Sequence, residues 1–161
     1  MNYNFLEKHL SCKKENNIEL GIAIFKPGYF PNDIESFIKL CSDEKLEILE
    51  HKDFKLSKEI IIGMYNNVFT YSFNDLIFGL DWKEETIKYL ISDNCNCFLL
   101  SGKNTIDVLA KFKHEIRKKY GKITHPKIQL TKEEFNDKVI KNLIHVVDEH
   151  EIQNILWLLF S

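Results

Sequence analysis

Four apolar, strand-like runs alternating with helical patterns predict an α+β fold, a ferredoxin-like split βαβ sandwich with a four-stranded antiparallel sheet flanked by helices. Three observations carry this. With paired helices collapsed, the order is strand, helix, strand, helix, strand, helix, strand, closing on a helix. The 161 residues suffice for one buried core and contain neither internal repeats nor a low-complexity linker. At 44% hydrophobic and 29% charged, the composition is that of a folded chain. Residues 1–18 read as an N-terminal arm and residues 19–161 as a single domain. A doubly wound parallel sheet shares this element order, and periodicity alone leaves it open.

The first strand is Leu20-Gly21-Ile22-Ala23-Ile24-Phe25, closed by Lys26-Pro27-Gly28. Asn32 or Asp33 is expected to open a helix, because Ile34, Phe37, Ile38 and Cys41 follow at helical spacing. A second strand is expected from Lys45 to about Phe54, where Leu46 and Ile48 alternate with Glu47. Ser57 caps a helix through Ile60, Ile61 and Met64 to Tyr65, and Asn66 to Leu80 shows no clear period. Asp81 with Glu84 is a capping-box pattern ahead of Ile87, Leu90 and Ile91. Cys97-Phe98-Leu99-Leu100 is a third buried strand, followed by a helix from about Thr105 through Leu109, Phe112 and Ile116. Thr131 with Glu134 predicts another capping box. The strand carrying His145 comes last, and Asp148 with Glu151 is expected to cap a terminal helix faced by Ile152, Ile155, Leu156 and Leu159.

Composition excludes several functions. A net charge of −2, from 22 basic and 24 acidic side chains, offers no field for nucleic acid or an anionic membrane. No run approaches membrane-spanning length. Arg117 is the single arginine, so a phosphate grip is expected to rest mostly on lysines. The Arg117-Lys118-Lys119 run itself reads as a solvated helix end that complements the dipole. Cys12, Cys41, Cys95 and Cys97 have neither metal nor redox spacing, which points to a reducing cytoplasmic setting. HExxH and Cys/His ligand clusters are absent, so no protein-held metal is expected. Ser101-Gly102-Lys103-Asn104-Thr105 lacks both the upstream glycine and the hydroxyl after lysine of a phosphate loop, and reads as a strand-to-helix turn.

His145 is the residue with the most chemical promise. It sits in Asn142-Leu143-Ile144-His145-Val146-Val147-Asp148, at the close of a β-branched run. An imidazole held by a strand can act as a nucleophile with little reorganisation. The plainer alternative is a core or edge histidine satisfied by one hydrogen bond. Asn142, three residues earlier, falls on the opposite strand face unless the strand is bulged.

Several segments, taken in order, resemble the nucleoside diphosphate kinase family from about Gly21 to Phe160. Ile22-Ala23-Ile24-Phe25-Lys26-Pro27 is similar to that family's first-strand Lys-Pro motif. Lys52 to Tyr65, with Ser57 and Glu59 between, matches the spacing of its lysine, Ser-Glu pair and phosphate-contacting tyrosine. Trp82 with Lys88-Tyr89-Leu90 resembles its Phe and Lys-Tyr-Met helix, Ser101-Gly102-Lys103-Asn104 its Glu-Gly-x-Asn turn, and Thr131-Lys132-Glu133-Glu134-Phe135 its Ile-Arg-Gly-Asp-Phe motif. Asn142-Leu143-Ile144-His145 is similar to its Asn-x-x-His strand.

The resemblance implies a ping-pong phosphotransferase that moves the γ-phosphate of a nucleoside triphosphate to a nucleoside diphosphate through a phosphohistidine at His145. Lys26, Tyr65, Lys132 and Thr124 would hold the phosphates, Asn142 would join the nucleotide site, and Trp82 would stack on the base. Mg2+ would arrive on the nucleotide phosphates, and the chain would assemble as a homo-oligomer with a dimer as minimum unit. The departures are specific. Val146 and Val147 replace the family's Gly and Ser after the histidine, and only Asp148 remains. The glutamate that orients the family's histidine falls on Leu156, with Glu149 or Glu151 as substitutes. One phosphate arginine falls on Lys132 and the other near Ala110, with Lys111 or Arg117 as stand-ins, and extra residues lie between Tyr65 and Trp82. These departures favour an alternative, a catalytically degenerate nucleotide-binding or protein-interaction module of the same fold. An unrelated ferredoxin-like binding domain is the third reading.

Overall fold

The computed structural model describes residues 17–66, 69, 81–124 and 129–160. Most of the N-terminal arm, and most of the extra residues before Trp82, lie outside the described residues. Four strands, β1 (Glu19–Phe25), β2 (Glu47–Phe54), β3 (Cys95–Gly102) and β4 (Ile144–Val146), form one sheet in the order β2-β3-β1-β4. Every pairing is antiparallel. β1 and β2 therefore run the same way with β3 between them, and β3 and β4 do so with β1 between. That is the split βαβ arrangement, and it rules out the doubly wound parallel sheet.

The helices are α1 (Pro31–Asp43), α2 (Lys58–Tyr65), α3 (Trp82–Leu90), α4 (Thr105–Lys119), α5 (Lys132–Phe135) and α6 (Ile152–Phe160). Alternation along β1 assigns them to faces. Leu20, Ile22 and Ile24 meet α2, α3 and α6, whereas Ala23 and Phe25 meet α1 and α4. Gly21 permits the close approach of α4, since a Cβ there would lie 2.6 Å from the side chains of both Leu109 and Thr105. No helix among the described residues is long and apolar enough to cross a membrane.

Local signals set most boundaries. Ser57 accepts from Ile60 N at 3.2 Å, Asp81 accepts from Glu84 N at 3.0 Å, and Thr131 with Glu134 closes a reciprocal box. Three expectations shift. α1 starts at Pro31, not at an Asn32 or Asp33 cap, because proline supplies a helical φ and lacks one of the donors that would need capping. Asp33 is instead buried and pairs with Lys119 at 2.9 Å. β2 begins at Glu47 because α1 ends in a Schellman turn, with Lys45 left-handed at φ 57° and Leu46 N donating to Cys41 O. Asp148 makes no side-chain cap. A 3₁₀ turn (Glu149–Glu151) intervenes before α6, and the Asp148 carboxylate is left for the cleft described next.

Candidate functional site

β4 is an edge strand, and the site is built along its open side. Ile24 lies opposite His145, and the ladder continues through Lys26 N donating to Leu143 O at 2.8 Å. Lys26, two residues beyond Ile24, therefore emerges on the same face as His145. Asn142 joins them through a backbone reversal. Leu143 has φ 70°, and Ile144 N donates to Asn142 O at 2.9 Å, so residues 142–144 form a γ-turn. This turn breaks the strand alternation that would have sent Asn142 to the far face. Its Oδ1 accepts from Lys26 Nζ at 2.7 Å, and Ile140 O lies 3.5 Å from the same ammonium.

A cleft of about 290 Å³ opens here. It brings together Lys26, Tyr65, Trp82, Thr124, Asn142 and His145, six of the seven residues singled out from the sequence. Lys132 stands exposed on the first turn of α5 and does not line the cleft. Tyr65, from the end of α2, faces the imidazole with ring centroids 5.1 Å apart and lies 5.8 Å below the Lys26 ammonium. Phe69 bridges Tyr65 to Trp82, with centroids 5.6 and 5.0 Å away. The cleft thus has an aromatic end and a cationic end.

The cationic end holds a residue that its sequence context concealed. Arg117 is not a solvated helix end but 6% exposed. The α4 period turns it inward, where Nη1 donates to Thr124 Oγ1 at 2.7 Å and Nη2 to Ile144 O at 2.6 Å. Ile144 O points out of the open edge of β4, so Arg117 satisfies a carbonyl that no fifth strand reaches. Among the described residues no carboxylate pairs with Arg117, and its Nε is buried without a partner. Lys113, one turn earlier on α4, lines the cleft as well, and among the described residues Asp148 is the one carboxylate lining it.

Burial and like charge set the protonation states. Desolvation, reinforced by Arg117, lowers Lys26 to about 7. Desolvation, then Lys26, Arg117 and Lys113, holds His145 well below the ordinary histidine range, so its imidazole is neutral at physiological pH. Burial pushes the Tyr65 hydroxyl up and lowers Arg117 to about 10. His145 Nε2 is enclosed without a hydrogen-bond partner, as is the Tyr65 hydroxyl. Leu156, at the position where the resemblance implies an orienting glutamate, is wholly buried in the apolar core.

Lys26 makes the fold's stability depend on pH. Its pKa in the folded chain lies below that of free lysine, so between about 7 and 10.5 the unfolded chain holds more protons. The Lys26 contribution is complete above the free-lysine pKa and is lost as pH falls through about 7. Denaturant midpoints measured at pH 7 and pH 9 are expected to rise more for the wild type than for Lys26→Met. Parallel changes in the two proteins would locate the coupling elsewhere.

No protein-family model and no curated protein matches the chain. Solved structures do. The Aquifex aeolicus nucleoside diphosphate kinase superposes with a TM-score of 0.58 at 18% identity, over 89% of this chain and 96% of that one. The Pyrobaculum aerophilum NDP kinase gives 0.57 at 17% identity, over 89% and 96%. The fold is that of the nucleoside diphosphate kinases. The Borrelia burgdorferi nucleoside diphosphate kinase, a transition-state mimic with bound vanadate and ADP, also matches, with a TM-score of 0.55 at 16% identity over 89% and 88%. A kinase fold by itself does not carry the reaction, and function has to be argued from the cleft.

Proposed function

We propose that the cleft moves a phosphoryl group from a nucleoside triphosphate to a nucleoside diphosphate through His145. The observation that carries this reading is a neutral imidazole set among Lys26, Arg117 and Lys113, none of them neutralised by a carboxylate ion pair among the described residues. Buried or half-buried cations that converge on a nucleophile without a carboxylate partner fit a polyanionic substrate. The Borrelia burgdorferi enzyme of the same fold, with its bound vanadate and ADP, supports the reading.

His145 Nδ1 is the candidate nucleophile, because Nε2 is enclosed. It attacks the γ-phosphorus in line. A P–N bond forms, the bond to the β–γ bridging oxygen breaks, and a nucleoside diphosphate leaves with the bond pair. In the return half, the terminal oxygen of a second diphosphate attacks and the P–N bond breaks. Lys26, Arg117, Tyr65, Thr124 and Asn142 bind and orient the phosphates, and Lys132 would join them only from outside the cleft. Trp82 offers a stacking face without reading base edges, which suits any nucleobase. Magnesium would arrive on the phosphates of the bound nucleotide, where it keeps several waters and few protein ligands. We expect the chain to act as a homo-oligomer built from dimers.

The enclosed Nε2 favours a second reading, a nucleotide-binding or interaction module that has lost efficient transfer. An Nδ1 lone pair requires the ring proton on Nε2, where no acceptor waits. An unsatisfied buried donor costs about 1–3 kcal/mol, which disfavours the reactive tautomer and would lower the rate roughly 5- to 150-fold. Incubation with γ-labelled ATP separates the readings. Acid-labile, base-stable label that GDP discharges supports the transferase, and nucleotide binding without label supports the module.

A further inference from the structure

Lys113 adds charge to the cleft without being one of the residues that bind and orient the phosphates there, yet its setting is that of a direct ligand. It lies one helical turn before Arg117, lines the cleft and is half-buried, whereas Lys111 and Lys118 on the same helix are exposed. The helix thus turns one lysine of this basic stretch inward. Among the described residues no hydrogen bond or ion pair engages its ammonium, although Asp148 acts on it from across the cleft. Holding an ammonium half out of water without a close counterion is unfavourable unless something else supplies the charge. Its field reaches the His145 ring, so it also reaches any phosphate placed for attack there.

We propose that Lys113 is a phosphate ligand, closing with Lys26 and Arg117 a three-cation cradle over His145 that takes the terminal phosphate of a triphosphate chain. This deepens the phosphotransfer reading and rests on it for the identity of the substrate. Arg117 is committed to Ile144 O and Thr124, and Lys26 to Asn142, so Lys113 is the one cation in the cleft with all its donors available among the described residues. A diphosphate, one phosphate shorter, leaves this position empty.

The test is calorimetric binding of inorganic tripolyphosphate and of ADP to the wild type, Lys113→Gln and Lys113→Arg. Lys113→Gln is expected to weaken tripolyphosphate about tenfold or more and ADP less than about twofold, with Lys113→Arg restoring most of the loss. By NMR, Lys113→Gln should raise the pKa of His145, since one nearby positive charge is gone. Equal losses for the two ligands, no loss for either, or an unmoved His145 titration would overturn the proposal. The binding needs no transfer. A wild type that takes no label but binds tripolyphosphate through Lys113 refutes phosphotransfer alone, and one that labels while Lys113→Gln binds normally refutes Lys113 alone.

Discussion

His145→Ala is expected to abolish covalent uptake of the γ-phosphate, lowering transfer by at least about a thousandfold while nucleotide affinity changes little. The asymmetry follows from the geometry. In the proposed reading affinity would draw on Lys26, Arg117, Lys113 and the aromatic end, all of which line the cleft and none of which the substitution removes. The reaction draws on one nitrogen. Stability should hardly suffer, because the imidazole makes no hydrogen bond through Nε2 and removing it removes an unsatisfied polar atom. Single-turnover labelling, with a thermal melt as control, reads all three expectations. Label at the wild-type level on His145→Ala would remove this residue from the chemistry.

The fold was legible where hydrophobic period and capping chemistry act locally. Ile22 and Ile24 against Ala23 and Phe25 separate the two faces of β1, and Ser57, Asp81 and Thr131 cap the helices they precede. α1 defied the rule because Pro31 outranks Asn32 and Asp33 as a starter. The gathering of most candidate residues was also legible: Lys26, Tyr65, Trp82, Thr124, Asn142 and His145 line one cleft because the fold preserves the order of their segments. What sequence could not show was orientation. A Lys-Arg run at a helix end looks solvated, and only the packing of α4 on β4 turns Arg117 to the Ile144 carbonyl. Nor does any glycine or asparagine announce the left-handed residue of the γ-turn. A leucine occupies it, held by the hydrogen bonds on either side of Leu143 that deliver Asn142 to Lys26.

Phe37→Ala should be the most damaging single truncation in the core beneath this site, by about 3–5 kcal/mol. Phe37 is wholly buried, and its ring meets those of Phe25, Phe98 and Phe112 at centroid distances of 5.2, 5.0 and 5.1 Å. Those rings belong to β1, β3 and α4, so the cluster ties four elements together from the face opposite His145. Alanine would lose the transfer energy of the ring and leave a cavity that rigid strands on one side cannot collapse. For a domain of this size the melting temperature should fall by roughly 10 °C or more. Ile38→Ala, one residue along the same helix but 43% exposed, should change stability by no more than about 0.5 kcal/mol. Phe25 directly precedes Lys26, so this packing also fixes where β1 delivers its lysine. If Phe37→Ala melts like Ile38→Ala, the aromatic cluster is not what holds α1 and α4 against the strands that carry the cleft.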